Sequence, residues 1–479
     1  MKAKTSRRKF LASGAAAGVG TWFAARTSWA AGNAPSDRVR VASIGCGGRG
    51  GGVLWDVAHV VKTENIAALC DVDDQRAGDA YKNDAFKHCP RYRDFREMLQ
   101  KEEDNIDAVT IGTPDHTHAP AAVMAMRMGK HVYVEKPLTY TVKEARVLRE
   151  LAAEKKLATQ MGNQGTAGGR LREGVEIVQA GLLGEVREVH TWTNRPVWPQ
   201  GLDAIFNRHS GVKKALHGKI EGGEISAKVP DALSWNLWLG PSPERPYDPI
   251  YLPFNWRGWL DWGTGSLGDM ACHTMNLPYM ALKLDAPVSV EAEVSCLNPE
   301  TYPEWGKVTY RFPEVGGRPA IMWYWYDGNE WSPKHFAERM RNSPNKVLGK
   351  SPAEVFGSIK PSGSGSLIVG DKGMLYSTDD YGNDWRLLPE EAFKDLKKPE
   401  PTLPRSPGHA AEWIHAIRGG PKAMSNFDYA GRLTEFILLG NVAMRMQSRI
   451  EWDSQNFKIT NNDKANQLLH REYRKGWTL

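Results

Sequence analysis

A buried strand, a glycine-rich turn and a helix in immediate succession constrain this chain more than any other feature. Residues 37–44 (DRVRVASI) read as an apolar strand. Gly45-Cys46-Gly47-Gly48-Arg49-Gly50 follows at once, and residues 51–61 are patterned as a helix. G-x-G-x-x-G in that position lets the backbone turn tightly and approach a pyrophosphate. The helix N-terminus supplies unpaired N–H groups and partial positive charge. Gly45, Gly47, Gly48, Arg49 and Gly50 are therefore expected to contact a dinucleotide. The next strand, 65–70, ends at Asp71, 21 residues after Gly50, near the distance at which a carboxylate meets the adenosine ribose. A carboxylate there repels a 2′-phosphate, which favours NAD over NADP. Asp73 is suited to capping the segment that begins at residue 74.

The alternation continues. Strands are expected at 91–92, 107–113, 131–134 and 157–161, with helices at 94–101, 118–128 and 141–155 between them. Asp94 and Thr141 stand as N-caps, and Glu144 completes a capping box. Strands alternating with helices imply a parallel, doubly wound sheet whose ligand crevice lies beyond the carboxyl ends of its strands. Thr113, Pro114, His116, His118, Glu135, Lys136, Asn163 and Gln164 all follow strands, and so converge on that crevice as cofactor contacts. For the two histidines, satisfying backbone groups at a helix start is an equal reading. Lys136, held where a strand ends and Pro137 forbids continuation, is the residue best placed for chemistry.

The net charge of +6 looks like a hint of acidic partners, but residues 1–30 hold six basic residues and no acid. Removing them from the 62 basic residues leaves 56 against 56 acidic ones, so no nucleic-acid footprint remains. The leader has a basic start, the apolar stretch 10–25 broken by glycines, and small residues at 28–30. It resembles a twin-arginine export signal through Ser6-Arg7-Arg8-Lys9-Phe10-Leu11, and is a poor membrane span. A periplasmic or otherwise exported protein with no stable membrane span after processing is expected. The five cysteines form no C-x-x-C pair and predict neither a zinc site nor a required disulfide.

Beyond residue 162 the pattern changes. A helix is expected at 169–180 and a strand at 185–194, followed by a Trp-, Pro- and Gly-rich insertion over 195–265. Fifteen of the 18 tryptophans lie beyond residue 190. Most should pack, while one to three, Trp262 among them, are expected to line a site for sugar rings. Asp269 and His273 are i and i+4 on a helix start and share a face. Strands at 288–296, 307–312, 319–326, 365–370 and 373–377 suggest an open sheet. Residues 334–364 read as an extended excursion, and helices follow at 409–418 and 429–446. The domains are thus 37–162 for the dinucleotide and 163–455 for substrate and oligomerisation, with 456–479 as a tail. The fold class is α/β: a Rossmann-type doubly wound parallel sheet, then an α/β domain with a large open, mostly antiparallel sheet.

GCGGRG, the strand-end Asp71, TPDHTH and above all VEKP followed by Thr-x-x-Glu-Ala resemble the glucose–fructose oxidoreductase / inositol dehydrogenase / rhizopine-catabolism (Gfo/Idh/MocA) family. The likeness runs from about residue 38 to about 450 and is strongest over 38–190. It implies hydride transfer at a carbinol or carbonyl carbon of a sugar or polyol, with Lys136 at the catalytic lysine position. Glu135 and Pro137 match its neighbours. Asp269 and His273 match an Asp-x-x-x-His that faces the nicotinamide, His273 sharing the proton with Lys136 and Asp269 orienting substrate or imidazole. Where the family often has a second Asp, this chain has Asn276, at best a hydrogen-bonder to substrate. A lysine beside a cationic nicotinamide and partly desolvated should have a lowered pKa. No third ligand completes a metal site with Asp269 and His273. The expected protein is a homo-oligomeric NAD-dependent sugar oxidoreductase whose cofactor is tightly held and recycled. Glycoside hydrolysis by transient oxidation, and a non-catalytic sugar-binding protein of the same fold, are the alternatives.

Overall fold

The structure is a computed structural model that describes residues 38–201 and 227–479. The leader, and the part of the Trp-rich insertion over 202–226, lie outside the described residues. Two sheets carry the rest. The first has six strands in the order β3-β2-β1-β4-β5-β6. They are β1 (Val41–Ile44), β2 (Ile66–Cys70), β3 (Arg91–Tyr92), β4 (Ala108–Ile111), β5 (His131–Val134) and β6 (Thr159–Met161), all paired in parallel. Every residue of β1 and β4 is buried, as expected of strands covered on both faces. The strand order reverses between β1 and β4, and the crevice opens at that point. Asp94 accepts from the Arg96 N–H, and Thr141 and Glu144 form a reciprocal capping box, so both helix starts are where the sequence puts them.

The second sheet has nine strands in the order β13-β12-β11-β7-β10-β9-β8-β14-β15. They are β7 (Val186–Trp192), β8 (Ser289–Val294), β9 (Gly306–Phe312), β10 (Ile321–Asp327), β11 (Gly365–Gly370), β12 (Met374–Ser377), β13 (Trp385–Leu388), β14 (Ile450–Asp453) and β15 (Lys458–Ile459). The β7–β10 pair is parallel and the other pairs antiparallel. The helices Gly265–Thr274 and Phe427–Met446 pack together. The second also packs on Val142–Glu154 of the first domain, so one apolar core runs through both domains. Helix His409–Ile417 returns to the first domain, where Trp413 Nε1 donates to the Ala158 carbonyl at 3.1 Å.

Two sequence expectations need correction. Residues 334–364 are not an extended excursion: Trp331–Arg341 and Pro352–Phe356 are helices. Phe336 and Met340, four residues apart, bury one face of the first against Trp192, Tyr324 and Tyr326 of the sheet. Pro333 and the polar or charged Lys334, His335, Glu338, Arg339 and Arg341 stand around them and hid the period. Residues 456–479, read as a tail, carry β15 and the short helix Asp463–Gln467 and then pack back on the first domain. There the Arg96 guanidinium lies 4.3 Å from the Trp477 ring. Among the described residues no helix is long and apolar enough to cross a membrane.

Candidate active site

The glycine turn is built by mutual exclusion of side chains. Gly45 has φ +81°, and a Cβ there would lie 2.8 Å from the Gly112 carbonyl carbon. A Cβ on Gly50 would strike the Gly45 carbonyl oxygen, and one on Gly112 the Cα of Gly50. Gly45, Gly50 and Gly112 therefore form one contact that clamps the turn onto the end of β4. The helix begins at Gly48, three residues earlier than its apolar pattern suggests, so Gly48, Arg49 and Gly50 lie in its first turn. Asp71 reaches across from the end of β2. Its Oδ2 accepts from the Cys46 N–H at 2.8 Å and its Oδ1 from the Asp73 N–H at 3.0 Å. Burial outweighs these bonds and raises its pKa to about 6. Asp73 accepts from the Gln75 and Arg76 N–H groups, a local cap.

Gly45, Gly47, Arg49, Asp71, Asp73 and Gly112 line a cleft of about 350 Å³ together with Thr113, Pro114, Glu135, Lys136, Trp238, Trp256 and Arg257; Gly48 and Gly50 stand behind it. Glu135 is its hub. The carboxylate accepts from Arg49 Nε at 2.9 Å, Gln164 Nε2 at 3.0 Å and the Lys136 N–H at 3.1 Å. A side chain at Gly162 would run into it. Glu135 thus joins three strand ends, and its backbone and charge reach the cleft through that bracing.

Lys136 Nζ donates to Asp269 Oδ1 at 2.8 Å and to the Asp269 carbonyl at 3.3 Å, so the two domains meet at this pair. Arg257 Nε donates to the same Oδ1 at 2.9 Å. Two cations hold the Asp269 carboxyl far below the ordinary carboxylate range against the cost of its burial. The lowered lysine pKa expected from the sequence is not what this structure gives. Burial pushes the Lys136 ammonium down, but Asp269 overrides it and the net shift is upward. One helical turn from Asp269, His273 is buried and its Nδ1 has no hydrogen-bond partner among the described residues. Burial and the Lys136 charge depress its pKa to about 3, so its imidazole is neutral. Its ring meets Tyr381 edge-on at 4.8 Å.

The other predicted residues divide. His118 faces the Pro137 carbonyl at 2.8 Å and the Thr113 carbonyl at 2.9 Å, tying the TPDHTH turn to the EKP turn. His116 faces the Trp238 carbonyl at 2.9 Å and packs on the Trp238 ring. Both histidines take the backbone-satisfying reading, and neither lines the cleft. Asn163 donates to the Cys272 carbonyl at 3.3 Å and accepts from Ser425. Asn276 is buried, donating to Thr166 Oγ1 at 2.9 Å and accepting from the Tyr429 hydroxyl at 2.7 Å. Its amide is spent inside the protein, not offered to a ligand. Trp262 is fully buried in an aromatic cluster with Trp238, Tyr251 and Trp259, while Trp238 and Trp256 line the cleft instead.

Asp115 escaped the sequence reading. It opens the helix Asp115–Arg127, lines the cleft, and accepts from Thr264 Oγ1 at 2.7 Å across the domain junction. Burial raises its pKa to about 7. The two histidines beside it drew attention away, although an acid directly after strand–Thr–Pro was the available signal.

Glycines that leave a cradle no Cβ could share, a strand-end carboxylate beside it and a lysine at the far end fit a dinucleotide. The class so defined is a two-domain dinucleotide-binding fold with a buried lysine at the domain junction. The chain belongs to the Gfo/Idh/MocA oxidoreductase family. Residues 39–163 match the model for the oxidoreductase family's NAD-binding Rossmann fold, and residues 185–322 its C-terminal alpha/beta domain. A glycosyl hydrolase family 109 protein of Solibacter usitatus is 32% identical over 199 residues, 38% of this chain and 44% of that protein. An alpha-N-acetylgalactosaminidase of Shewanella oneidensis is 31% identical over 155 residues, 31% of this chain and 33% of that protein. The chain thus aligns with less than half the length of these curated relatives. Among solved structures, the Bordetella pertussis WlbA dehydrogenase with NADH and UDP-GlcNAcA superposes with a TM-score of 0.55. It is 15% identical, over 87% of this chain and 99% of that one. The Caulobacter crescentus aldose-aldose oxidoreductase gives 0.50 at 16% identity, over 87% and 100%. At such identity these neighbours share the fold.

Proposed function

We propose that this protein is an exported NAD-dependent oxidoreductase that moves a hydride at a carbinol carbon of a sugar or sugar derivative. The observation that carries the reading is the Lys136–Asp269 pair. It joins a lysine at the end of the dinucleotide crevice to the helix bearing His273, whose Nδ1 has no hydrogen-bond partner among the described residues. Bound NAD supplies the hydride acceptor, and returns the hydride in the reverse direction. Lys136 hydrogen-bonds the reacting hydroxyl, and once it has released its own proton to solvent its free amine accepts the hydroxyl proton as the hydride leaves. Burial keeps the His273 imidazole neutral, so it can hydrogen-bond the reacting hydroxyl and orient it toward Lys136 without holding the proton itself. Asp269 fixes the lysine head group, and Trp238 and Trp256 give the cleft an aromatic lining of the kind that suits a sugar ring.

The leader supports export, and export argues for a tightly held cofactor recycled within each cycle, since no NAD pool surrounds an exported enzyme. The open sheet of the second domain supports a homo-oligomer. The names of the curated relatives favour a second reading, in which transient oxidation of one carbon labilises a glycosidic bond and the hydride then returns. Denaturing the purified protein and identifying the released nucleotide, then screening sugars and aryl glycosides, tests both. Net NADH with a free sugar supports the first reading. Aglycone release without NADH supports the second. Release of no nucleotide, with neither product formed, sinks both.

A further inference from the structure

Lys136 and Arg257 do not merely share a carboxylate; they share one oxygen of it. Nζ lies 2.8 Å and Nε 2.9 Å from Asp269 Oδ1. No hydrogen bond reaches Oδ2 among the described residues. Arg257 stands on the turn Asn255–Gly258, its guanidinium 4.3 Å from the Trp256 ring and 4.5 Å from the Phe254 ring. Its Nη1 donates to the Phe254 carbonyl at 3.2 Å. The aromatic bracing fixes the guanidinium where it both anchors Asp269 and repels the lysine ammonium. Arginine keeps its charge at any working pH, so this repulsion is permanent.

We propose that Arg257 is a positioning residue that holds Asp269 for Lys136 and, by occupying the same oxygen, keeps the lysine's proton loose enough for transfer. The role rests on the oxidoreductase reading above. Lys136 is faced by Asp269, Cys272 and His273 from the helix Gly265–Thr274, by Asp115 from the helix Asp115–Arg127, by Tyr381 from the loop after β12, and by Arg257. Burial keeps the Cys272 thiol and the Tyr381 phenol protonated and His273 neutral. Asp115, with a pKa of about 7, is a carboxylate throughout the alkaline range and a constant there; of the charges that meet at Asp269 Oδ1, Asp269 raises the ammonium's pKa and Arg257 lowers it. A neutral residue at 257 leaves Asp269 to Lys136 alone, and the lysine then holds its proton to higher pH by about one unit or more.

The test is competitive acylation of lysine amines in the cofactor-free protein across the alkaline range, reading the Lys136 peptide by mass spectrometry. R257Q and R257M are compared with wild type and R257K, with near-UV circular dichroism as the check on folding. R257M keeps an apolar stem against Trp256 and Phe254, so it serves if R257Q does not fold. The half-labelling pH of Lys136 should rise by about one unit in the neutral variants and stay near wild type in R257K. In turnover, the acid limb of kcat/KM for oxidation should move the same way, with KM little changed. A folded neutral variant whose Lys136 titrates as in wild type overturns the proposal. A labelling shift in a protein that oxidises no sugar supports Arg257's hold on Lys136 and counts against the oxidoreductase reading instead.

Discussion

The Lys136 ammonium, carried by the end of β5, sits 2.8 Å from the carboxylate of Asp269 on a helix of the second domain. Side-chain exposures of 15% and 7% make this a mostly buried ion pair across a domain junction. Removing one member of such a pair leaves an uncompensated buried charge, at a cost of about 3–5 kcal/mol. Asp269→Asn leaves two cations unneutralised, Lys136 and Arg257, and should fall at the upper end. Its pKa is depressed, so its contribution is complete above the unfolded value of 3.8 and is lost only as pH falls through the far lower folded value. Urea midpoints of wild type and D269N at neutral pH check the loss, which should persist undiminished into moderate acid.

Asp115 gives the opposite sign. Its folded pKa, about 7, lies above the ordinary 3.8 because burial disfavours the carboxylate. The folded state therefore binds more protons than the unfolded chain between those values. Stability from this group is full below the unfolded pKa and is lost as pH rises through the folded one. Asp115→Asn keeps an acceptor for Thr264 and removes the titration. The difference in unfolding free energy, D115N minus wild type, should grow by a few kcal/mol, on the order of 3, between mildly acidic and mildly alkaline pH. Denaturation of the cofactor-free proteins at the two ends measures it; a difference independent of pH would contradict a buried, titrating Asp115.

Gly112 has no place in the G-x-G-x-x-G signature, yet it is one side of the contact that clamps the turn. A methyl at Gly112 meets the Gly50 Cα and must push the helix N-terminus away from β4. Gly112→Ala should weaken NADH binding at least tenfold, about 1.4 kcal/mol, as a substitution at Gly50 would. Fluorescence titration with NADH on folded G112A checks this.

The fold was largely legible because its cues are local. Gly45–Gly50, the Asp94 and Thr141 caps and the apolar β1 and β4 each declare themselves within a few residues. The site was legible where a residue follows a strand, since topology then brings Lys136, Glu135 and Asp71 together whatever their separation in sequence. It was opaque where the deciding partner is remote. Nothing near Asn276 announces that Thr166 and Tyr429 take its amide, and nothing near His116 announces the Trp238 carbonyl. Trp262 reads like Trp256, but a cluster of aromatic neighbours closes over one and leaves the other at the cleft. Arg257 is equally silent in sequence, because its meaning lies in an oxygen it shares with a lysine from another domain.

The central claim is that Lys136 moves the proton while NAD takes the hydride. Single-turnover absorbance at 340 nm tests it most directly, on NAD-loaded protein mixed with its sugar or aryl glycoside, in wild type and Lys136→Met. The account predicts a nicotinamide band in wild type, lasting for a dehydrogenase and transient for a hydrolase. In K136M the band should form about 10²–10⁴-fold more slowly, with bound NAD retained. Wild type that forms product with no change at 340 nm, or K136M that forms the band at the wild-type rate, would contradict it.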